Sequence, residues 1–374
     1  MKRWTALLFM LISAFYSHSQ FSLYNLTEYQ YGNLPTDTVN AFSTLYDRLL
    51  IDYSYDRFKA GITFEQFTSP YENRSYYRLT QARLQYYGKN LEIKFGNFYE
   101  TLGRGTLLRS YQIPGAVLQD LTFRSRYYFN QDFLGGQIKY KLKKFTIKTL
   151  YGNPLNSVLP PNQELADRRP DRVGSIDLGF EFENHSIGAG FLNLNNNSGS
   201  HSLAMLNGSG NISQSVSYYT ELAKNLDRQF ELVNFSSNSS FAWYANLNYA
   251  AENFGITTEF KSYKNFVLGL GMNQPPALVR QHLYRQLNRS THVMNAANET
   301  GYQLEAFYNF PGKEEDIPGS TVLTLNHTLA INDFGRRFVF QEYFVELASS
   351  INEINDYKLF VDYAADPLKV KKQE

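Results

Sequence analysis

The sequence predicts an all-β fold, a transmembrane antiparallel β-barrel with roughly 16–20 visible strands. One long apolar run, residues 4–16, stands at the start of the chain, and the remainder consists of segments that alternate apolar and polar residues. These segments are about 9–12 residues long, which is the length that a tilted strand needs to cross a bilayer. Tyr and Phe number 29 each, and such a share suits the aromatic girdles of a membrane barrel.

The first 19 residues have the pattern of a secretory signal peptide. Lys2 and Arg3 precede the apolar run, and the small residues Ser17 and Ser19 follow it. The run is too short to be a membrane helix. We therefore predict that residues 1–19 are a signal peptide, that residues 20–374 form the barrel, and that the protein resides in the outer membrane.

The composition excludes several classes of protein and site. Cysteine is absent, so no disulfide and no thiolate metal site can form. The net charge of +1 gives no bulk attraction to nucleic acid. A mean hydropathy of −0.41 is too low for a helical membrane protein. No cofactor is predicted.

Alternation with a period of two is clear along most of the chain and predicts which side chains face outward. Ile138, Tyr140, Phe180, Phe182, Trp243 and Leu247 lie on apolar faces and should contact lipid. The polar faces between them should line the lumen, namely Lys139, Lys141, Glu181, Glu183, Asn246 and Asn248.

The strands expected from this pattern are separated by polar turns and loops. They are residues 22–32, 42–55, 58–67, 76–87, 91–99, 106–112, 118–128, 133–142, 145–151, 173–183, 186–194, 214–224, 229–235, 240–250, 254–271, 300–310, 320–331, 337–348 and 357–365. Residues 106–112 and 229–235 are included partly to keep the strands in alternating directions.

The connections fall into two groups if the N-terminus is periplasmic. Short turns at 56–57, 88–90, 143–144, 184–185 and 252–253 all fall on the periplasmic side. Long polar loops at 152–172, 195–213 and 272–299 all fall outside. The strand count is odd, and the terminal aromatic that barrel-assembly machinery commonly reads is absent. Either closing strands are missing at the C-terminus or one strand is not recognised in the pattern.

The segment 95–112 interrupts the alternation with Gly96, Gly103 and Gly105, which would let the backbone fold inward. Four arginines cluster around it: Arg104, Arg109, Arg124 and Arg126. They are candidates for a cationic constriction in the lumen. The alternative is a bulge and loop whose arginines pair with lumen acids such as Glu92 and Glu100.

The segment 269–299 is predicted to be a long loop because Pro275 and Pro276 cannot join a strand ladder. Its candidate functional residues are Arg280, His282, Arg285 and Arg289. It could form a surface lid, an inward plug or a docking site, and the alternative is an ordinary folded external loop. No metal site is predicted, since His282 and His292 have no acidic ligands nearby in the sequence.

No catalytic residue is predicted. A barrel enzyme needs a nucleophile with an oriented base, and no G-x-S-x-G element occurs. His327 lies on the apolar-facing register with Leu325 and Leu329, with Ser320 and Asn326 nearby. The protein is therefore not expected to be an enzyme.

The segments GNFYETLGRGTLLRSYQ, FRSRYYF and NQPPALVRQHLYRQLNR resemble an uncharacterised porin-like outer-membrane family of Bacteroidetes, a domain of unknown function. The resemblance covers the chain from about residue 22 onward. It implies an outer-membrane barrel and no catalysis.

The predicted function is porin-like passage or surface binding of small solutes. A plugged structural or docking barrel of a secretion or surface complex is the first alternative, and a barrel enzyme is the second. The partners expected are outer-membrane lipid, barrel-assembly machinery and small solutes, without nucleic acid. The sequence leaves the oligomeric state open.

Overall fold

The structure is a computed structural model of the full chain. It describes residues 19–32, 42–70, 75–119, 124–155, 171–197, 199–227, 239–269, 272–278, 292, 297–310, 321–333, 335–350 and 356–366. Among these residues, no helix is long and apolar enough to pass through a membrane.

Twenty-one strands make up the described chain. In chain order they are β1 (Ser19–Gly32), β2 (Phe42–Tyr55), β3 (Phe58–Thr68), β4 (Tyr76–Tyr87), β5 (Leu91–Phe98), β6 (Thr101–Leu102), β7 (Leu108–Arg109), β8 (Tyr111–Gln119), β9 (Arg124–Gln131), β10 (Phe133–Leu142), β11 (Phe145–Pro154), β12 (Arg172–Phe182), β13 (His185–Asn196), β14 (Gly199–Asn211), β15 (Val216–Asn225), β16 (Phe241–Ala250), β17 (Phe254–Lys264), β18 (Asn298–Phe310), β19 (Thr321–Asp333), β20 (Arg337–Ser350) and β21 (Asp356–Ala365).

Seventeen of these strands form one antiparallel sheet, which confirms the predicted fold class and strand number. Strands β1 to β5 pair in chain order, β5 pairs with β10, and β10 to β21 continue in chain order. In the described chain, β1 and β21 are the two edges of this sheet. Two hairpins, β6–β7 and β8–β9, leave the sheet between β5 and β10.

Tight turns join strands at one end of the sheet, which we call the turn edge. Asp56, Lys143 and Glu183 open two-residue turns there, with φ near +50°. Such left-handed turns match the twist of the strands that they join. Each follows an even-numbered strand of the sheet, so all lie at the same end. The long connections after β11 and β17 lie at the opposite end, the loop edge, as predicted.

The two faces of the sheet follow the predicted alternation. Ile138, Leu178 and Leu247 are exposed on the outer face. On the inner face the Lys141 Nζ lies 3.0 Å from a Glu181 oxygen, and Asn248 donates to Asn246. Of the residues expected in the lumen, one differs in position: Glu183 belongs to the turn itself and is exposed there.

Three sequence predictions about the wall are wrong. Residues 195–213 are not an external loop, because 199–211 form β14, paired with β13 and β15. Residues 106–112 and 118–128 are not wall strands, because they lie in the inward excursion and the β8–β9 hairpin. Residues 229–235 lie outside the described residues. The predicted strand list lacks β14, and its presence reverses the direction of β15 relative to the prediction. The turn at 212–215 therefore lies at the turn edge.

Candidate functional site: a constriction inside the barrel

The chain leaves the barrel wall at the end of β5. Gly96 has φ +84°, and a Cβ built there would lie 2.1 Å from the Ala82 carbonyl oxygen. Beside it the Asn97 side chain accepts a hydrogen bond from the Ala82 amide at 2.8 Å and so replaces a ladder bond. Only glycine fits this position. Residues 99–110, which we call the inner loop, then run into the lumen.

Three leucines of the inner loop form an apolar contact with the far wall. Leu102, Leu107 and Leu108 are at most 2% exposed. They pack in one cluster with inward-facing residues of β13 and β14, namely Leu192, Leu194, Leu203 and Met205. Burying a leucine contributes about 1.5–3 kcal/mol. The inner loop is therefore held inside the barrel by a small hydrophobic core.

Two glycines let the inner loop approach its neighbours closely. Gly103 has φ +64°, and a Cβ there would lie 2.3 Å from the Glu221 Oε2. Gly105 has φ +91°, and a Cβ there would lie 2.7 Å from the Gln274 carbonyl oxygen. Both positions need the left-handed conformation and the missing side chain. The glycine pattern seen in the sequence thus corresponds to an inward fold.

Glu221 on β15 anchors the tip of the inner loop. It is 1% exposed. Its Oε2 accepts hydrogen bonds from the Arg104 backbone amide at 2.7 Å and from the Tyr219 hydroxyl at 2.6 Å. Its Oε1 accepts one from the Thr106 hydroxyl. Hydrogen bonds to a carboxylate are stronger than neutral ones, so this residue ties the loop to the wall.

A second segment also contacts the inner loop and braces it. Residues 266–269 and 272–278, the bracing segment, follow β17. Arg109 donates its amide hydrogen to the Met272 carbonyl at 2.8 Å, and Gln274 donates its own to the Gly105 carbonyl at 3.0 Å. The Asn273 side chain donates to the Thr106 carbonyl at 3.1 Å. The inner loop and the bracing segment are therefore joined by hydrogen bonds into one unit.

The base of the inner loop carries a charge cluster around Glu100. Its carboxylate lies 3.0 Å from the Lys148 Nζ and 3.5 Å from the Lys94 Nζ, and it accepts a hydrogen bond from Gln137. Burial by itself raises the pKa of Glu100. The two ammonium groups and the Gln137 hydrogen bond outweigh burial and hold the pKa below its usual value.

Two of the four predicted constriction arginines belong to the inner loop. The Arg104 guanidinium lies 4.5 Å from the centre of the Tyr219 ring, and that of Arg109 lies 5.2 Å from the centre of the Tyr111 ring. Neither forms an ion pair with another described residue. The alternative, pairing with Glu92 or Glu100, is wrong for these two, since lysines pair with both acids.

The other predicted residues are not brought to this site by the described structure. Arg124 and Arg126 lie on β9, in the hairpin that has left the wall, and their side chains lie outside the described residues. Arg280, His282, Arg285 and Arg289 also lie outside the described residues. His327 faces outward, with its ring against Tyr302 and Tyr343.

A buried charged cluster lies near the loop edge, and the sequence analysis did not find it. His292 lies 3.0 Å from a Glu299 oxygen and stacks on Phe340 with ring centres 4.7 Å apart. The other Glu299 oxygen pairs with Lys261, whose side chain is fully buried. Glu299 is only seven residues from His292, so the prediction that this histidine has no acid nearby is wrong. Lys261 and Phe340 are distant in the sequence and left no local signal.

A cavity of about 590 Å³ lies between the inner loop and the wall from β1 to β5. It is lined by Tyr24, Arg48, Leu50, Gln81, Arg83, Gln85, Tyr87, Lys94, Asn97, Phe98, Tyr99 and Gln112. Burial raises the pKa of Tyr99 to about 12, so its hydroxyl stays protonated at neutral pH. The described lumen thus holds the apolar cluster of the inner-loop leucines on one side and a polar cavity on the other.

Comparison with known proteins places the chain in a family. The family of unknown function DUF6029 matches residues 39–366. The chain belongs to this family. No curated protein matches the DUF6029 chain.

Solved structures similar to this DUF6029 protein include two from Pseudomonas aeruginosa. OccK9 (OpdG) of Pseudomonas aeruginosa matches with a TM-score of 0.52 and 12% identity, over 94% of this chain and 96% of that one. OccK3 (OpdO) of the same species matches with a TM-score of 0.50 and 10% identity, over 96% and 98%. At such identities the likeness shows the fold alone, an antiparallel porin barrel.

Proposed function

We propose that this DUF6029 protein is an outer-membrane barrel through which small polar solutes pass, with the inner loop setting the width of the passage. The observation that carries this proposal is the inner loop itself. It is folded into the lumen, tied to the wall by Glu221 and braced by residues 272–278, and a polar cavity lies beside it. A loop held in this way narrows a passage to a fixed width.

Location in the outer membrane is supported by the surface of the sheet. Large apolar side chains such as Leu178, Leu206 and Leu247 are exposed on its outer face. A surface of this kind is stable against lipid and unfavourable against water. The proposal includes a signal peptide over residues 1–19, one barrel over 20–374, and insertion by barrel-assembly machinery. The origin in Bacteroidetes implied by the resemblance stays a prediction.

Arg104 and Arg109 are the proposed constriction cations, because the described structure places both on the inner loop and leaves their charge unpaired. Arg124 and Arg126 stay candidates by sequence alone. The same holds for Arg280, His282, Arg285 and Arg289 as external loop residues. No catalytic role is proposed.

Single-channel recording in planar bilayers tests the proposal. We expect steady ion currents from the purified protein. A variant without residues 102–108 should conduct more, because it lacks the leucines that fill the lumen. Equal conductance of the two proteins would contradict the role given to the inner loop, and silence of both would contradict passage altogether.

A docking barrel is the second candidate, and the apolar cluster around Leu107 and Phe266 favours it, since this cluster fills part of the lumen. Silence in bilayers together with a stable stoichiometric partner after purification would support docking over passage.

A further inference from the structure

One charge pair in the cavity bridges two strands over a third. Asp52 on β2 and Arg83 on β4 are both register partners of Gly61 on β3. The Arg83 Nη2 lies 2.5 Å from the Asp52 Oδ1, above the Gly61 backbone. A Cβ built at Gly61 would lie 2.3 Å from that carboxylate oxygen and 2.8 Å from the Arg83 Nε. The missing side chain of Gly61 therefore leaves the room in which this pair sits.

The three cations that line the cavity differ in how far water reaches them. The side chains of Arg48 and its partner Glu65 are 4% and 0% exposed. That of Lys94 is 15% exposed and contacts two acids, Glu92 and Glu100. The Arg83 side chain is 25% exposed. Arg83 is therefore the cation that a solute in the cavity reaches most easily.

The described lining of the cavity carries cations, and the acid paired with Arg83, Asp52, is 31% exposed but is not part of that lining. Among the residues that the structure describes, the lining includes Arg48, Arg83 and Lys94 and no carboxylate. An arginine has five N–H donors, and the described contact with Asp52 uses one side of the Arg83 fork. The remaining donors can bind an anionic oxygen, and such charge-assisted hydrogen bonds are stronger than neutral ones.

We propose that this cavity is an anion-binding subsite on the solute path, with Arg83 as its specificity-determining residue and Gly61 as the residue that positions it. The inference rests on the proposed function, because it takes the passage to run along the wall from β2 to β5. It names the solute class as small anions.

Two measurements on the full-length protein test the subsite. The first is the reversal potential in a potassium chloride gradient, which reports the preference for chloride over potassium. The second is calorimetric titration of the detergent-solubilised protein with inorganic phosphate, which needs no conduction. We expect R83Q to lower the chloride preference at least about twofold and to weaken phosphate binding.

A variant of Gly61 tests whether the position of Arg83 matters in addition to its charge. Gly61→Ala keeps every charge but displaces the pair, so it should change both measurements in the same direction as R83Q. The matched control is Gly179→Ala, where the nearest atom to an added Cβ is the Thr146 Cβ at an ordinary 3.7 Å. Lys141→Gln is the charge control, because Lys141 pairs with Glu181 near the turn edge, away from the cavity lining. Both controls should behave like the parent protein.

The outcomes are distinct. Conduction with unchanged selectivity and phosphate binding in R83Q would overturn the subsite while leaving passage intact. An effect of K141Q as large as that of R83Q would also overturn the subsite. The loss of any lumen cation would then have the same effect, whether or not it lines the cavity. Silence in bilayers with phosphate binding that is lost in R83Q would overturn passage and support the subsite.

Discussion

Two carboxylates hold the inner loop in the barrel, and they do so in different ways. Glu221 accepts hydrogen bonds from the Arg104 amide and from the hydroxyls of Thr106 and Tyr219. Glu100 instead lies between two lysine ammonium groups, Lys94 and Lys148. Glu221 fixes the tip of the loop by directional hydrogen bonds, and Glu100 fixes its base by ion pairs.

Replacing Glu221 by Ala should release the tip. The change leaves the Arg104 amide and the Thr106 and Tyr219 hydroxyls without their acceptor, and lost hydrogen bonds to a charged group cost about 1.5–3 kcal/mol. We expect a lower free energy of unfolding in urea and more current noise in bilayers. Glu252→Ala, in an exposed turn, is the control and should change neither.

The Glu100 cluster should make the base of the loop sensitive to acid. The pKa of Glu100 is lower in the folded state than in the unfolded chain, so its ionised form stabilises the fold above the unfolded value of about 4.3. That stability is lost as the pH falls through the folded pKa. Protease cleavage in the inner loop should therefore rise below about pH 4, and Glu100→Gln should be cleaved with much less dependence on pH.

At the scale of elements, the tight turns were predictable and one strand was not. Polar dipeptides between alternating runs marked the turn edge, and the structure places turns at or within a residue of the predicted positions. The prediction missed β14 because large apolar side chains of this strand face the lumen, whereas the prediction placed such side chains outward. Its inward Leu203 and Met205 pack against the inner loop, while outward positions such as Ser202 and Gly208 are small. An apolar inner face arises only because another segment fills the lumen there.

The turn at Lys143 gives a prediction for a single element. Its φ of +50° is costly for a β-branched side chain and free for glycine. Lys143→Val should lower the free energy of unfolding by about 1–2 kcal/mol. Lys143→Gly should leave it unchanged or raise it. Urea titration of the two variants side by side checks this. Equal losses in the free energy of unfolding would contradict the strain assigned to a β-branched residue at this φ.

At the scale of the whole molecule, the outer face should tolerate charge less than the lumen. Leu178 is exposed on the outer face, beside Ile147 and Ala189 of the neighbouring strands. An arginine near the middle of the membrane costs about 2–4 kcal/mol, so Leu178→Arg should fold poorly in lipid. Glu181→Gln on the inner face should cost little. Equal losses on refolding into liposomes would contradict the assignment of the faces.

The site was predictable only in part. The glycines and arginines of segment 95–112 indicated an inward fold, and the structure places Arg104 and Arg109 there. The sequence analysis missed Glu221, Asp52 and Arg83. Each is a polar residue on the inner face of a strand, and local pattern does not distinguish such a residue from any other that meets water.

The sequence by itself determined the class of fold and the facing of most strands, because alternation and turn chemistry act between residues that are close in the chain. The tertiary structure alone decided what lies within the barrel. Contacts such as Glu221 to Thr106 and Gln274 to Gly105 join segments more than a hundred residues apart. Those contacts exist only once the wall has curved and brought its far strands around the same interior.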